Sequence, residues 1–134
     1  MCDSAPTVAQ RKACWAREDA VRSAFEQCTG QIFVKVRPSF LKNPHTGRNL
    51  ELDVYCDALK LGCEADGAQH SSFPNAFHRT KEEFDAQQAR DRIKEELCKK
   101  AGVTLMRVPH DVEFDSIHSY VKSLLRKQKI VSKQ

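Results

Sequence analysis

The sequence predicts an α/β protein in which helices pack against a β-sheet, with the elements in the order α-β-β-β-α-β-α. Three observations support this class. Apolar residues recur at helical spacing in three segments, alternation with a period of two marks a hairpin in the middle of the chain, and a short apolar run follows the second helix. Strands and helices in this succession are typical of a sheet covered by helices.

The length and composition favour a single domain spanning residues 1–134. The chain carries 22 Lys and Arg against 18 Asp and Glu, and apolar residues make up 40% of it. This composition can build a core, so it is not typical of a disordered chain. No run approaches the roughly 20 apolar residues of a membrane-spanning helix, and residues 1–10 lack the apolar stretch of a secretory signal. We expect a core over about 8–127, with a short polar N-terminus and a basic C-terminal tail.

The first two elements are a helix and a strand. Apolar residues at spacings of three, four and seven predict a helix over residues 8–28, and Gly30 is placed for a left-handed cap that ends it. β-Branched and aromatic residues predict a strand over 31–36, which Pro38 breaks. A loop rich in turn residues follows.

A hairpin is predicted next. Residues 50–56 alternate between apolar and polar side chains, which is the period of a half-buried strand. A turn at residues 57–58 leads into a second strand over 59–64, and Gly67 permits a sharp exit from it.

Three further elements complete the chain. Thr80 and Glu83 form a capping box that begins a long helix, and Gly102 ends it. The apolar run 103–108 predicts a buried strand, and apolar periodicity over 115–127 predicts a final helix.

The six cysteines are interpreted as free thiols. None forms a C-x-x-C pair, and a chain of this length does not need disulfides to fold. We therefore expect an intracellular, reducing compartment such as the cytoplasm or nucleus. A zinc site formed by Cys63, His70 and His78 is an alternative, although their spacing matches no standard zinc pattern.

Charge is distributed unevenly along the middle of the chain. Residues 31–50 contain no Asp or Glu and carry four cationic residues, Lys35, Arg37, Lys42 and Arg48. Residues 51–70 reverse this sign, with Glu51, Asp53, Asp57, Glu64 and Asp66 against a single lysine. A basic flank beside an acidic pocket suits a protein that grips phosphates and holds a divalent cation. The alternative is that both segments are solvated loops.

Two acidic residues of the hairpin form a candidate metal site. With the turn at residues 57–58, Asp53 faces residue 62, and Glu64 is its diagonal neighbour across the ladder. Converging carboxylates repel each other unless a cation lies between them, and Mg²⁺ binds to one or two carboxylates together with water. A bound metal activates water and polarises a phosphoryl oxygen, which is the chemistry of phosphodiester cleavage. The alternative is a pair of solvated acids at strand ends.

Polar residues beyond the hairpin extend the candidate site. Gln69 and His70 follow the acidic strand end, where His70 could act as a general base or acid near neutral pH and Gln69 could position a water. The alternative for a lone histidine in a loop is simple exposure to solvent.

Polar faces of two helices offer further candidates. Four residues of the long helix share one face at spacings of three and four: Gln87, Arg90, Asp91 and Lys94. Either this face is solvated, or its amide and carboxylate point at the metal pocket while its two cations contact phosphates. In the first helix Glu18 and Glu26 share a face, and one of them could complete the acidic cluster.

Two runs of sequence carry a family resemblance. They are LELDVYCDALKLGCEADGAQH and FHRTKEEFDAQQARDRIKEELCKKAGVTLMRVP, and FVKVRPSFLKNPHTGRN precedes them. The pattern L-E-L-D, a hairpin, E-x-x-G-x-Q-H and then Q-x-x-R-D-x-x-K is fairly specific. Over about residues 18–109 the chain resembles the PD-(D/E)XK nuclease superfamily, in the branch of very-short-patch-repair-like and homing-type endonucleases. A viral or phage source would suit this resemblance.

The resemblance implies a restriction-endonuclease-like mixed sheet flanked by helices and a Mg²⁺-dependent DNA endonuclease, with Mn²⁺ as a substitute metal. Asp53 matches the central metal-binding aspartate of the family, and Glu64 matches the acidic residue of its (D/E)-x-K element. His70 matches the histidine that follows the strand in the very-short-patch-like branch. Two acidic matches lie on helices: Glu18, which we favour over Glu26, and Asp91.

The chain departs from the family pattern at two positions. Leu52 stands where proline precedes the metal-binding aspartate, which is a frequent variation. Asp66 occupies the place of the lysine that supports the nucleophilic water and the transition-state charge. Gln69, His70 or a second metal would then have to take over that role.

The preferred hypothesis is a small metal-dependent DNA endonuclease. Asp53 and Glu64 hold Mg²⁺ with the Ala65 carbonyl as an added ligand, and the basic segment 35–48 grips the DNA backbone together with Arg90 and Lys94. No membrane and no small-molecule cofactor are expected, and cleavage of both strands at once would favour a homodimer. The alternatives are a catalytically degenerate nucleic-acid-binding domain on the same fold and a zinc-containing interaction protein.

Overall fold

A computed structural model of the protein describes residues 7–66 and 80–128. In this part of the chain the predicted α/β class and element order are confirmed. The helices and strands are α1 Val8–Thr29, β1 Val34–Val36, β2 Leu52–Cys56, β3 Leu61–Ala65, α2 Lys81–Lys100, β4 Thr104–Val108 and α3 Ile117–Lys127. Two short 3-10 helices lie at Ser39–Leu41 and Phe114–Ser116.

The ends of the helices follow local sequence chemistry. Gly30 adopts a φ of 75° after α1, and its N–H donates to the Glu26 carbonyl at 2.8 Å. At the start of α2 the Thr80 hydroxyl accepts from the Glu83 N–H at 3.1 Å, while the Glu83 carboxylate accepts from the Thr80 N–H at 3.3 Å. The predicted left-handed cap and capping box are therefore both confirmed.

The four strands form one mixed sheet in the order β1-β2-β3-β4, with β3 and β4 parallel and the other neighbours antiparallel. Val54 lies opposite Cys63 and Tyr55 opposite Gly62, so the predicted pairing of Asp53 with residue 62 is wrong by two residues. The reason is a longer turn. Residues 57–60 all belong to it, and Lys60 has a positive φ of 51°.

A β-bulge interrupts β2 beside Asp53. The pairs Val34–Tyr55 and Val36–Leu52 set two steps along β1 against three steps along β2. The extra residue places Leu52 and Tyr55 in the same side-chain cluster. The predicted alternation is therefore wrong at this point: it places Tyr55 on the same side as Glu51 and Asp53, yet Tyr55 is only 5% exposed.

Helices cover both faces of the sheet. One apolar cluster lies against α1 and α3 and includes Phe25, Val54, Val108 and Val121. The other lies against α2 and the first 3-10 helix and includes Leu41, Leu52, Tyr55, Cys98 and Val103. Because both faces of the sheet are buried, its strands are mainly apolar. The polar side chains of the candidate site lie near the strand ends.

Four cysteines of the described part are buried free thiols: Cys28, Cys56, Cys63 and Cys98. Cys63 packs in the core against apolar neighbours, whereas His70 and His78, its partners in the alternative zinc site, lie outside the described residues. None of the helices within 7–66 and 80–128 combines the length and apolar character needed to cross a bilayer.

Substitution of the α2 cap provides a test of the fold. We expect Thr80→Ala to lower the free energy of unfolding by about 1 kcal/mol, because the N–H groups of the first turn lose their acceptor. Thr80→Ser keeps the hydroxyl and serves as the control. Urea unfolding followed by circular dichroism measures both variants, and equal stability of Thr80→Ala and wild type would contradict the capping role.

Candidate active site

Asp53 and Glu64 face each other where the β2–β3 ladder ends. One step beyond the Val54–Cys63 pair, the Asp53 N–H donates to Glu64 Oε2 at 3.1 Å. In return the Ala65 N–H donates to Asp53 Oδ2, also at 3.1 Å. Each carboxylate thus accepts a hydrogen bond that a backbone carbonyl would accept in a regular ladder. Asp53 and Glu64 are directly opposed, whereas the sequence predicted diagonal neighbours.

Lys94 joins this pair from α2. Its Nζ lies 2.8 Å from Glu64 Oε1, and the two side chains are only 10% and 4% exposed. A fully solvated face, the alternative weighed for the long helix, is therefore wrong at Lys94. Because an ammonium and a carboxylate buried together are each stabilised by the other, α2 is tied to the end of β3.

A pocket of about 290 Å³ opens over these residues. Four acidic residues line it: Glu18, Glu51, Asp53 and Glu64. The other lining residues are Arg37, Leu50, Ala65, Gln87, Arg90 and Lys94. The helix glutamate Glu18, the strand carboxylates and the cations of α2 therefore meet in one place, although they are distant in sequence.

The electrostatics of the pocket act most strongly on Asp53. Burial raises the pKa of its carboxyl to about 7, and the nearby charges of Glu64 and Glu18 contribute to the rise. The hydrogen bond from the Ala65 N–H and the charge of Lys94 oppose it. An ionised Asp53 is thus disfavoured in the protein alone, and a cation in the pocket would relieve that cost.

The first helix supplies Glu18, which forms an ion pair with Lys35. Lys35, expected to contact nucleic acid, places its Nζ 2.6 Å from Glu18 Oε1. This contact raises the pKa of Lys35. Glu26, the less favoured candidate, instead accepts the Phe33 N–H at 2.9 Å and holds the approach to β1.

Side-chain hydrogen bonds link three polar residues of α2. The Gln87 Nε2 donates to Asp91 Oδ1 at 3.0 Å, and the Arg90 Nη2 donates to Gln87 Oε1 at 2.9 Å. Because the Asp91 carboxylate accepts, the Gln87 amide must turn its oxygen towards Arg90. This network fixes Arg90 at the pocket wall, while Asp91 lines a different pocket.

Asp66, which the resemblance places at the position of the motif lysine, does not line the first pocket. Its Oδ1 lies 2.9 Å from Arg107 Nη1, and both residues line a second pocket of about 200 Å³. Arg107 Nε also lies 3.3 Å from Glu95 Oε2. Sequence reasoning missed Arg107, although a single arginine in an otherwise apolar strand signals buried acidic partners.

The remaining predicted residues are divided between the pocket rim and more distant positions. Arg37 lines the pocket, where its Nη1 donates to the Asn49 carbonyl at 3.1 Å. Lys42 and Arg48 lie on the loop between β1 and β2 and do not line the pocket. Gln69 and His70 lie outside the described residues.

The carboxylates of the pocket suit a hard cation that takes only a few of its ligands from the protein. Within the described residues no group of three or more His, Cys, Asp or Glu has the arrangement of a metal site. Asp53 and Glu64 nevertheless present opposed carboxylates at the pocket. Mg²⁺ commonly takes one or two carboxylates and fills its remaining positions with water and substrate phosphates, so this pair fits it.

Three proteins to which the chain is similar come from viruses. The chain is 38% identical over 109 residues to the uncharacterized protein 094L of Frog virus 3, and the match covers 81% of this chain and 69% of that protein. The chain belongs to the same family as 094L. It is also 42% identical over 94 residues to the uncharacterized protein 033L of Invertebrate iridescent virus 3 and 46% identical over 95 residues to the uncharacterized protein 307L of Invertebrate iridescent virus 6.

These matches cover 70% and 67% of this chain but 48% of each iridescent-virus protein, so the chain spans about half the length of those two relatives. No family model matches the chain, and no solved structure matches it. The restriction-endonuclease-like fold therefore stays a prediction, and the α/β class with a mixed sheet is what the structure shows.

Removal of Lys94 tests the buried ion pair. Lys94→Met keeps the length of the side chain but leaves the Glu64 carboxylate without its cation, so we expect a loss of about 3–5 kcal/mol of unfolding free energy at neutral pH. Adding Glu64→Gln to that variant removes the uncompensated charge and should restore a large part of the loss. Urea unfolding measures both variants, and an unchanged stability of Lys94→Met would contradict the pair.

The raised pKa of Asp53 predicts a pH-dependent gain from Asp53→Asn. Between its ordinary pKa near 3.8 and the folded value of about 7, the folded protein binds a proton more tightly than the unfolded chain, so stability falls as pH rises. In EDTA we expect the amide to raise the unfolding free energy at pH 8 by about 1–3 kcal/mol and to change it little at pH 4.

Thermal unfolding between pH 4 and pH 8 measures this difference. Asp57→Asn is the matched control, because hydrogen bonds from Tyr55 and Lys60 lower the pKa of Asp57, so its amide variant gains nothing at high pH. A melting-temperature difference between Asp53→Asn and wild type that stays the same at every pH would contradict the raised pKa.

Proposed function

We propose that the protein is a metal-dependent DNA endonuclease that hydrolyses phosphodiester bonds. The observation that carries this proposal is the meeting of Asp53, Glu64 and Lys94 at one pocket wall, with Lys94 Nζ 2.8 Å from Glu64 Oε1. Two carboxylates and a buried ammonium are the groups that the resemblance to PD-(D/E)XK nucleases leads us to expect. The pattern of residues along the chain and the pocket both support it.

Asp53 and Glu64 would hold Mg²⁺, or Mn²⁺ in its place. When bound, such an ion lowers the pKa of a coordinated water and polarises a phosphoryl oxygen. The Asp53 carboxylate is kept in position for this by the Ala65 N–H, and the Glu64 carboxylate by the Asp53 N–H and by Lys94. These bonds preorganise the donors before a ligand arrives.

We propose that Lys94 compensates for the aspartate at residue 66. The motif position holds an aspartate that pairs with Arg107, and the ammonium reaches the acidic pair from α2 instead. A positive charge with 10% exposure stabilises negative charge that develops beside it far better than a solvated lysine does. We therefore assign to Lys94 the role that the motif lysine has in related nucleases.

Two arginines at the pocket are suited to hold the phosphodiester backbone. Arg90 extends from α2 and Arg37 from the loop after β1, and both line the pocket beside the carboxylates. Hydrogen bonds from Arg90 to Gln87 and from Arg37 to the Asn49 carbonyl restrict both guanidinium groups. Guanidinium groups bind phosphate oxygens through paired N–H donors, so this arrangement favours an anionic chain over the mouth of the pocket.

A specific observation favours a second candidate function, a nucleic-acid-binding domain without catalysis. Both Glu64 oxygens are already engaged, one by Lys94 and the other by the Asp53 N–H. If the Lys94–Glu64 pair is too stable to admit a metal, the pocket would bind nucleic acid without cutting it. This candidate predicts salt-sensitive DNA binding that no divalent metal changes.

Nicking of supercoiled plasmid in Mg²⁺ or Mn²⁺ tests the proposal. We expect cleavage that EDTA abolishes, and a loss of at least about 100-fold in Asp53→Asn, Glu64→Gln and Lys94→Met, the scale expected when one charged group leaves a reacting centre. Asp57→Asn changes an exposed acid on the same hairpin and should cut as wild type does.

Each variant is checked for DNA binding and thermal unfolding, so that loss of cleavage is separated from loss of fold. A folded wild-type protein that binds duplex, single-stranded, mismatched and branched DNA but cuts none of them would contradict the nuclease proposal. That result would favour the nucleic-acid-binding domain without catalysis.

A further inference from the structure

The loop between β1 and β2 ends in a small ordered hairpin formed by residues 42–49, which we term the basic hairpin. Lys42 and Asn49 form an isolated antiparallel bridge. Below it the Leu50 N–H donates to the Leu41 carbonyl at 2.8 Å, and above it the Asn43 N–H donates to the Arg48 carbonyl at 2.8 Å. These two hydrogen bonds, which together form the bridge, give this segment a defined geometry.

A buried asparagine holds the tip of the basic hairpin in shape. Asn43 is only 5% exposed, and its Oδ1 accepts the His45 N–H at 2.9 Å. Its carbonyl accepts the Gly47 N–H at 2.8 Å, and Gly47 adopts a φ of 75°, which other residues rarely adopt. The Arg48 N–H completes the turn by donating to the Thr46 hydroxyl at 3.2 Å.

The outer surface of the basic hairpin is exposed and cationic. Lys42, His45, Thr46 and Arg48 are all exposed, and no Asp or Glu occurs between residues 31 and 50. The buried polar group is thus the neutral Asn43, and the charged groups point outwards. An anionic partner would meet this surface without repulsion from the hairpin itself.

The base of the basic hairpin is fixed to the rim of the pocket. Arg37 lines the pocket, and it exchanges hydrogen bonds with Asn49: its Nη1 donates to the Asn49 carbonyl at 3.1 Å, and the Asn49 Nδ2 donates to the Arg37 carbonyl at 3.3 Å. Leu41, just before the hairpin, is completely buried, and Leu50, just after it, lines the pocket. The base of the basic hairpin therefore adjoins the pocket rim.

We propose that the basic hairpin is a preformed contact for double-stranded DNA, which places the duplex with one phosphodiester over the pocket. This inference rests on the proposed function and deepens it by naming the form of the substrate. Proteins bind single strands largely by stacking bases on aromatic rings. Residues 42–49 contain no Phe, Tyr or Trp, and the neighbouring Phe40 ring packs on buried Tyr55 with centroids 5.8 Å apart.

Preorganisation explains why a small tip can contribute to affinity. A loop that is already ordered loses little conformational freedom on binding, so more of the attraction between cations and phosphates appears as affinity. Two variants separate the effect of charge from the effect of the ordered turn. Arg48→Ala removes a charge and keeps the turn, whereas Asn43→Ala keeps the charge and removes the acceptor for the His45 N–H.

Fluorescence anisotropy with a 20-base-pair duplex in EDTA, at several salt concentrations, is the test. We expect Arg48→Ala to weaken binding about three- to tenfold and to reduce the salt slope by about 0.9, the value for one lost phosphate contact. Asn43→Ala should weaken binding with an unchanged slope. Lys122→Ala, an exposed cation on α3 away from the pocket, is the control and should bind as wild type does apart from a small general charge effect.

If Asn43→Ala does not fold, Gly47→Ala takes its place, since a Cβ there meets no atom within 4 Å and only the backbone conformation is disfavoured. The inference is overturned if Arg48→Ala behaves as Lys122→Ala does, or if a single strand of the same length binds as tightly as the duplex. Because binding is measured without metal, a protein that never cuts can still support the basic hairpin, and a protein that cuts can still refute it.

Discussion

The burial of Glu64 beside Lys94 is the interaction on which the candidate site depends. A carboxylate at 4% exposure needs a partner for each oxygen, and it receives the Lys94 ammonium on one and the Asp53 N–H on the other. This pairing ties α2 to the sheet and brings Gln87 and Arg90 to the pocket wall. The ion pair is a direct contact between α2 and β3, and it places a cation of the helix beside the acids of the strands.

The Asp53 carboxylate is stabilised far less completely than the Glu64 carboxylate. It receives one backbone N–H and lies near the negative charges of Glu64 and Glu18, and its pKa rises to about 7. A group kept in a costly environment is typical of functional sites, because the cost is recovered when a ligand binds. The β-bulge beside Asp53 changes the direction of the side chains of β2 at the same place.

Asp66 pairs with Arg107 of β4, while α2 supplies Lys94 to the acidic pair. The resemblance leads us to expect a lysine at residue 66, whereas the ammonium beside Glu64 comes from another element of the fold. The chain shares a family with the uncharacterized protein 094L of Frog virus 3.

The sequence alone determined the element order, the capping box at Thr80, the cap at Gly30 and the placement of Asp53 and Glu64 on neighbouring strands, because these follow from periodicity and from chemistry within a few residues. Only the tertiary structure decided the register and the partner of each charge. The longer turn at 57–60 and the bulge in β2 moved the register, and local patterns do not encode either. Lys94 meets Glu64 across 30 residues, a contact that depends on how α2 packs on the sheet.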